Sequence, residues 1–273
     1  MFGYRQHKSL LSGAFTMAEI IFHAVVRSIR SGHNNAFIAL GKNMMQVVVF
    51  VLIFYMMFSL LGLRGTAIRG DFLLYIMSGV FLFMVHIKSV GAIMGAEGPN
   101  SPMMKHAPMN TIISLLASAI GALYTQLLTL FIILFGYHVA FKPVYIDNPG
   151  GAFAMLMLSW FTGCAVGLVF FSMKPWLPTI VGILSTVYQR ANMIASGKMF
   201  VANSLPPFML QMFDWNPLFH CIDQCRGFVF RNYYPRNSNW EYAFWVGVTL
   251  IMVGLMLEFY TRRQVSNSWY ARR

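Results

Sequence analysis

The segment Trp215–Arg226 reads WNPLFHCIDQCR. It places His220, Cys221, Asp223 and Cys225 within six positions, and all four are metal-ligand types. Cys221 and Cys225 stand at i and i+4 and can share a helical face. His220 and Asp223 fall on other azimuths. Structural zinc sites use a second, distant ligand pair, and the one other cysteine, Cys164, stands alone in an apolar run. A Cys221–Cys225 disulfide would be strained within one helical turn. Nucleophilic catalysis lacks a G-x-S-x-G context. No catalytic residue, metal or cofactor is therefore expected in the chain. The architectural alternative fits better. Asn216 suits an N-cap and Pro217 the first helical position. Asp223 and Arg226, three apart, can pair on one face, and His220 can extend that network. The segment then anchors its surroundings.

Those surroundings are apolar. Of 273 residues, 58% are hydrophobic and 10% charged, where a soluble domain carries about 25% charged residues. A mean hydropathy of +0.60 and long apolar runs point to lipid. The net charge of +12 raises nucleic acid as a partner, but the basic residues flank apolar runs. Arg5, Lys8, Arg27 and Arg30 precede Gly32, and Arg262, Arg263, Arg272 and Arg273 close the chain. That is the pattern of cytoplasmic flanks under the positive-inside rule. No basic soluble domain exists to bind nucleic acid. The N-terminus lacks the uninterrupted apolar core of a cleavable signal.

The elements follow from periodicity. Residues 13–30 carry Phe15, Ile20, Ile21, Ala24, Val25 and Ile29 on one side and Glu19, His23, Arg27 and Arg30 towards the other. This predicts an amphipathic helix, lying in the cytoplasmic interface or packed on the protein itself. Spans are expected at 36–63, 72–94, 111–138 and 152–173. His86 and Lys88 fall near the inner end of the second, and the loop after it is broken by prolines. A fifth hydrophobic segment starts near Trp176. It is apolar for only about a dozen residues before YQRAN, short of the ~20 a crossing needs. Tyr188, Gln189 and Arg190 are therefore expected to face a protein interior or an aqueous cavity. Residues 195–239 read as short outer re-entrant or interfacial helices, and 240–260 as the last span, stopped by Arg262 and Arg263. The expected fold is an all-α integral membrane protein with six transmembrane helices and an N-terminal amphipathic helix. It forms a single membrane domain over 1–273, divided as 1–35 (cytoplasmic helix), 36–194 (spans 1–5), 195–239 (outer helices), 240–261 (span 6) and 262–273 (cytoplasmic tail).

This order of features resembles the ABC type-2 permeases, and within them the capsular polysaccharide exporter permeases. The residues that carry the resemblance are RSIRSG before the first span, IKSVGAI and its loop after the second, AVGLVF in the fourth, and WNPLFHCIDQCR. In the family the last of these runs Asn-Pro-Leu, then His or Tyr, then an acidic residue about three positions before Arg. Here the positions are Asn216, Pro217, Leu218, His220, Asp223 and Arg226. Asp223 stands where Glu is usual, and the aromatic that follows the basic pair in the family is missing from RSIRSGHNNAF.

The resemblance implies a multi-pass permease of the bacterial inner membrane with both termini cytoplasmic. Its partners would be a cytoplasmic ABC ATPase dimer, a second copy of itself, and periplasmic and outer-membrane export components. ATP and Mg would sit on the ATPase. No G-x-x-x-x-G-K-[ST] motif occurs in this chain. The cargo implied is an anionic lipid-linked polysaccharide, and other cargoes of such exporters (O-antigen, teichoic acid or drugs) remain open. A multispan enzyme acting on lipid-linked sugars is the remaining alternative, though the eight acidic residues are scattered. For an anionic polymer, Lys88, Arg190 and Lys198 would meet charged groups, and Tyr188, Phe200 and Trp215 would stack on sugars. Force from the ATPase would enter through Arg27 and Arg30 of the amphipathic helix and through Glu97, Lys105 and His106 of the loop at 95–110. Asn216, Pro217, His220, Asp223 and Arg226 form the structural motif.

Overall fold

A computed structural model describes residues 10–31, 36–62, 68, 70–98 and 110–270, and the side chains of 10–15, 30, 31, 36 and 265–270 lie outside that description. All regular elements among the described residues are helices. They are α1 (Leu10–Ser31), α2 (Ala36–Leu60), α3 (Phe72–Met94), α4 (Thr111–Ala140), α5 (Pro149–Met173), α6 (Pro178–Ala195), α7 (Pro207–Phe213), α8 (Pro217–Val229) and α9 (Trp240–Tyr270). A single 3-10 turn, Ala202–Ser204, precedes α7.

Local chemistry sets several starts. The Asp71 carboxylate accepts from Leu73 N at 2.9 Å and begins α3. Asn148 accepts from Gly151 N at 2.9 Å, with Pro149 in the first turn of α5. Proline also opens α6, α7 and α8, where its missing N–H costs nothing.

Among the described residues five helices are long and apolar enough to cross a membrane: Phe37–Leu60, Phe72–Met94, Thr111–Ala140, Pro149–Met173 and Trp240–Gln264. The chain is therefore a multi-pass membrane protein by architecture. Helix α6, expected within the fifth span, is not among the five. Its 18 residues reach only ~27 Å, and Gln189, Arg190 and Asn192 dilute its second half. Helix α9 runs on to Tyr270, through residues expected as a tail.

Helix α3 is the axis of the bundle. In its most apolar window 83% of residues are buried, against 22% in α2, α4 and α9. Glycines bring its neighbour close. A Cβ on Gly163 of α5 would lie 2.6 Å from the His86 carbonyl oxygen, and one on Gly167 would lie 2.8 Å from Ile93 Cβ. Small residues at helix interfaces allow this backbone approach. On the other face of α5, Gly247 and Gly254 of α9 give room to Phe161 and Leu168.

These contacts fix direction. Ser159 Oγ donates to Leu82 O at 2.9 Å, and Gly163 meets His86, so α5 runs parallel to α3. Ser172 Oγ donates to Gly254 O at 2.9 Å, and Gly247 meets Phe161, so α9 runs parallel to α5. Asn43 Nδ2 donates to Thr129 Oγ1 and Lys88 Nζ to Gln46 Oε1, at 2.8 and 2.7 Å, which places α2 beside α4 and the end of α3. Lys174 Nζ reaches Met94 O at 3.3 Å, and Arg262 Nη1 reaches Asn110 Oδ1 at 3.4 Å. The start of α2 and the last turns of α9's apolar stretch thus share one end of the bundle, the near end. Because α5 and α9 are parallel, the chain between them must return from the near end to the far end. It does so in two steps. Helix α6 leaves the near end and its C-terminal loop reaches the level of Phe83, midway along α3. Helix α8 continues to the far end, where Asn148 N donates to Phe228 O at 2.8 Å.

Helix α8, expected as an outer re-entrant or interfacial helix, is enclosed by the bundle, with Pro217–Asp223, Cys225, Arg226 and Val229 buried. Its Leu218, Cys221, Ile222, Cys225 and Val229 belong to the core with Leu74, Ile76 and Met84 of α3.

The α3–α5 contact leaves no room for a side chain. Gly163→Val should destabilise the protein by about 1–3 kcal/mol, as overpacking does. Gly136→Ala, where an added Cβ meets nothing within 4 Å, should not. Thermal unfolding of the two variants in detergent checks this.

Candidate functional site

The polar groups in the middle of the bundle converge on one break in the helices. Helix α6 ends at Ala195, and Gly197 follows at φ +75°. A glycine in the left-handed region after a helix is a common C-terminal stop. Here a Cβ would also meet Phe219 Cδ2 at 2.7 Å. The turn leaves the carbonyls of residues 197–200 without helical partners. Arg226 supplies the donors. Its Nη1 donates to Gly197 O at 2.8 Å and Phe200 O at 2.6 Å, and its Nη2 donates to Lys198 O at 2.7 Å. The guanidinium lies 4.2 Å above the Tyr75 ring. A Cβ on Gly79 would lie 2.9 Å from Nη2, so only glycine admits the arginine there. Arg226 is 1% exposed. The planar fork suits this task because it presents donors at fixed spacing.

The expected Asp223–Arg226 pair is not formed as a contact. Asp223 instead accepts from Tyr233 OH and from Ser238 Oγ, the latter at 2.7 Å. The carboxylate pulls towards the chain after α8, while the guanidinium pulls towards the chain after α6. His220 likewise bonds elsewhere. Asn239 N donates to Nδ1 at 3.0 Å, so Nε2 carries the proton that it donates to Asp214 O. The Asn239 N–H fits only the neutral ring. Asn216 performs the expected cap. Its side chain accepts from Leu218 N at 3.1 Å, and its Nδ2 donates to Asn192 Oδ1 and Ala195 O at 2.9 and 3.0 Å. Pro217 occupies the first turn. The motif therefore staples the end of α6, the start of α8 and the connection to α9. Cys221 and Cys225 are free and buried.

Lys198 sits beside this staple. It is 3% exposed, and its ammonium has no hydrogen-bond partner. Nζ lies 3.3 Å from the Phe83 centroid, 5.2 Å from Phe54 and 5.4 Å from Phe50. A desolvated cation over an aromatic face gains about 2 kcal/mol, while burying an ion costs several kcal/mol.

The other residues expected on a polymer path are dispersed. Tyr188 points inward, and its hydroxyl meets His86 Nε2 at 2.8 Å. His86, expected near the inner end of its span, is fully enclosed. Its Nδ1 faces Ser159 O and Thr162 Oγ1 at 3.1 and 3.2 Å, so one ring joins α3, α5 and α6. Arg190 does not enter the interior of the chain but is exposed on α6. Phe200 stacks on Phe213 at 5.2 Å. Trp215 is exposed and donates from Nε1 to Met212 O at 2.6 Å.

At the near end the structure unites residues that sequence spacing kept apart. Lys88, assigned to the polymer path, lines the same cavity as Arg27 and Glu97, assigned to ATPase coupling. Arg27 Nη2 stands 4.0 Å from Glu97 Oε1. Lys105 and His106 lie outside the described residues, as does the side chain of Arg30. Sequence reasoning missed His86 as a hub and the polar cluster of Asn43, Gln126 and Thr129. A polar stripe recurring at helical spacing in α4 (Ser118, Thr125, Gln126, Thr129) was the available signal.

No protein-family profile matches the chain, and no curated protein is significantly similar to it.

Arg226→Leu strips the buried Lys198 and Phe200 carbonyls of their donor, takes one of two from Gly197 O, and removes the positive charge one turn from the buried Asp223. It should cost about 3–5 kcal/mol. Arg226→Lys, lacking the fork, should recover less than half of the loss, as read by thermal unfolding.

Proposed function

We propose that the chain is the membrane-embedded permease subunit of an ATP-driven exporter of the ABC type-2 kind, with an anionic lipid-linked capsular polysaccharide as cargo. The observation that carries this reading is the two-step return between α5 and α9. The permeases that the sequence resembles interrupt their fifth span and follow it with short outer helices. In this chain α6 stops midway and α8 resumes, and WNPLFHCIDQCR makes the junction. On this reading six crossings are made, the fifth by α6 and α8 together, and both termini face the cytoplasm of a bacterial inner membrane.

Two features support a transport role over a purely structural one. Arg190 is exposed on α6 beside Ile183, Val187 and Ile194, which are exposed too. An arginine on such a face is costly against lipid, and a second copy of the chain across a hydrated path would relieve that cost. Helix α1 packs on α4 and reaches the segment after α3 through Arg27 and Glu97. Such a helix, lying on the near end of the bundle, is placed to receive force from a cytoplasmic ATPase dimer that holds ATP and Mg.

Co-expression with a cytoplasmic ABC ATPase of the same organism tests the reading. The full chain should co-purify with that ATPase and change its turnover. Arg190→Gln should retain the association while lowering export at least about tenfold, a loss of ~1.4 kcal/mol or more at the path. A chain that neither associates with the ATPase nor alters its turnover ends the reading. Surface-glycan analysis of a deletion strain identifies the cargo. Loss of capsule supports the polysaccharide, and intact glycans with drug sensitivity support a hydrophobic cargo.

A further inference from the structure

The near end of the bundle holds a cavity of about 550 Å³ between α1, α2, α3 and α4. This is the size of a small-ligand pocket, about 300–1,000 Å³. Its walls are made by small residues. Gly91 and Ala92 of α3, Gly95 at its end, and Gly121 and Ala122 of α4 line it. A Cβ on Gly91 would meet nothing within 4 Å, so that wall borders open space.

The charge in the cavity is one-sided. Arg27, Lys42 and Lys88 line it with a single carboxylate, Glu97. Glu97 is engaged by Arg27 at 4.0 Å, and its backbone N–H is fixed by Ser114 Oγ at 3.0 Å. Lys42 and Lys88 are left without an acidic partner among the described residues. Gln46 accepts one Lys88 N–H at 2.7 Å, which leaves two ammonium donors for another acceptor. The Asn43–Thr129 and Gln126–Asn43 bonds, 2.8 and 3.0 Å, consume the neighbouring amides on each other. Two convergent lysines, an arginine and free volume complement a compact anion with several acceptor oxygens. A phosphate ester is the biological group of that kind, carrying one to two negative charges.

We propose that this cavity binds a phosphate ester, held by Lys42 and Lys88 and bordered by Arg27. The phosphate comes either from an anionic lipid headgroup or from a soluble phosphate. Bound there, it bridges α1 to α2 and α3, so the amphipathic helix docks through the ligand as well as through its contact with α4. The site does not depend on the export reading, because nothing in it invokes cargo or ATPase.

Native mass spectrometry of the full chain in detergent tests it, with phosphatidylglycerol, phosphatidylcholine of the same acyl chains, and inorganic phosphate as probes. Phosphatidylglycerol should bind about tenfold better than phosphatidylcholine, a difference of ~1.4 kcal/mol. The double variant Lys42→Gln with Lys88→Gln should lose that advantage by removing charge. Gly91→Leu should lose it by filling the space with every charge in place. Gly136→Ala, outside the cavity and with nothing within 4 Å of the added Cβ, should bind as wild type does. Displacement of the lipid by inorganic phosphate assigns recognition to the phosphate alone, and failure to displace it assigns recognition to the lipid; both support the site. Equal binding of the two lipids, or wild-type binding by either cavity variant, overturns it. ATPase association is scored separately, so lipid binding and the export reading can fail independently.

Discussion

A backbone that breaks inside a membrane protein must find donors for its free carbonyls, because hydrocarbon offers none. The turn after α6 is such a break, and Arg226 meets its demand with two nitrogens spread over three carbonyls. The rest of the middle layer depends on this. Gly79 is bare because the guanidinium lies against it. Tyr75 gives the cation a ring to lie on. Asp223 offers a buried charge of opposite sign on the same helix, a turn away. An aliphatic residue in place of Arg226 would remove the reason for α6 to stop at half depth and for α8 to begin beside it.

The break sits in a frame that is otherwise rigid. Helices α3, α5 and α9 run parallel with glycines at their contacts, and His86 adds a hydrogen-bonded junction between α3, α5 and α6. Parallel packing forces the 174–239 segment to cross the bundle. A single apolar helix could have made that crossing with less polar burial. The chain instead commits Arg226, Lys198, Asp223 and His220 to the task. Buried ionisable groups at this depth are expensive and mark functional sites in membrane proteins. Lys198 is the extreme case, since three phenylalanine faces surround a cation with no acceptor.

The levels of the bundle divide the charge differently. The middle layer holds Arg226 in fixed hydrogen bonds and Lys198 against aromatic faces. The near end leaves lysines around open space, next to the amphipathic helix. Rigid polar closure at one level and an unfilled basic cavity at another fit a protein whose moving parts lie towards the α1 end.

Much of this was legible in the residues themselves. Runs such as VVVFVLIFYMMFSLLGL dictate helices that lipid can surround, since helical geometry alone satisfies their backbone. Asn216-Pro217 marks a helix start because capping and proline geometry are local. The weakness of α6 was visible in YQRAN. Partner choice was not. Asp223 and Arg226, three apart, read as a pair, yet each found stronger partners from distant segments. Arg190 read as facing a protein interior or an aqueous cavity, and within the single chain it is exposed on α6. Lys88, Arg27 and Glu97 gave no sign of sharing a cavity. Sequence alone thus determined the helices and their apolar character, because those arise from each residue's own neighbours and solvent. Only the tertiary structure decided which polar groups meet, because that depends on how parallel helices, brought close by glycines, set the depth and facing of side chains far apart in the chain.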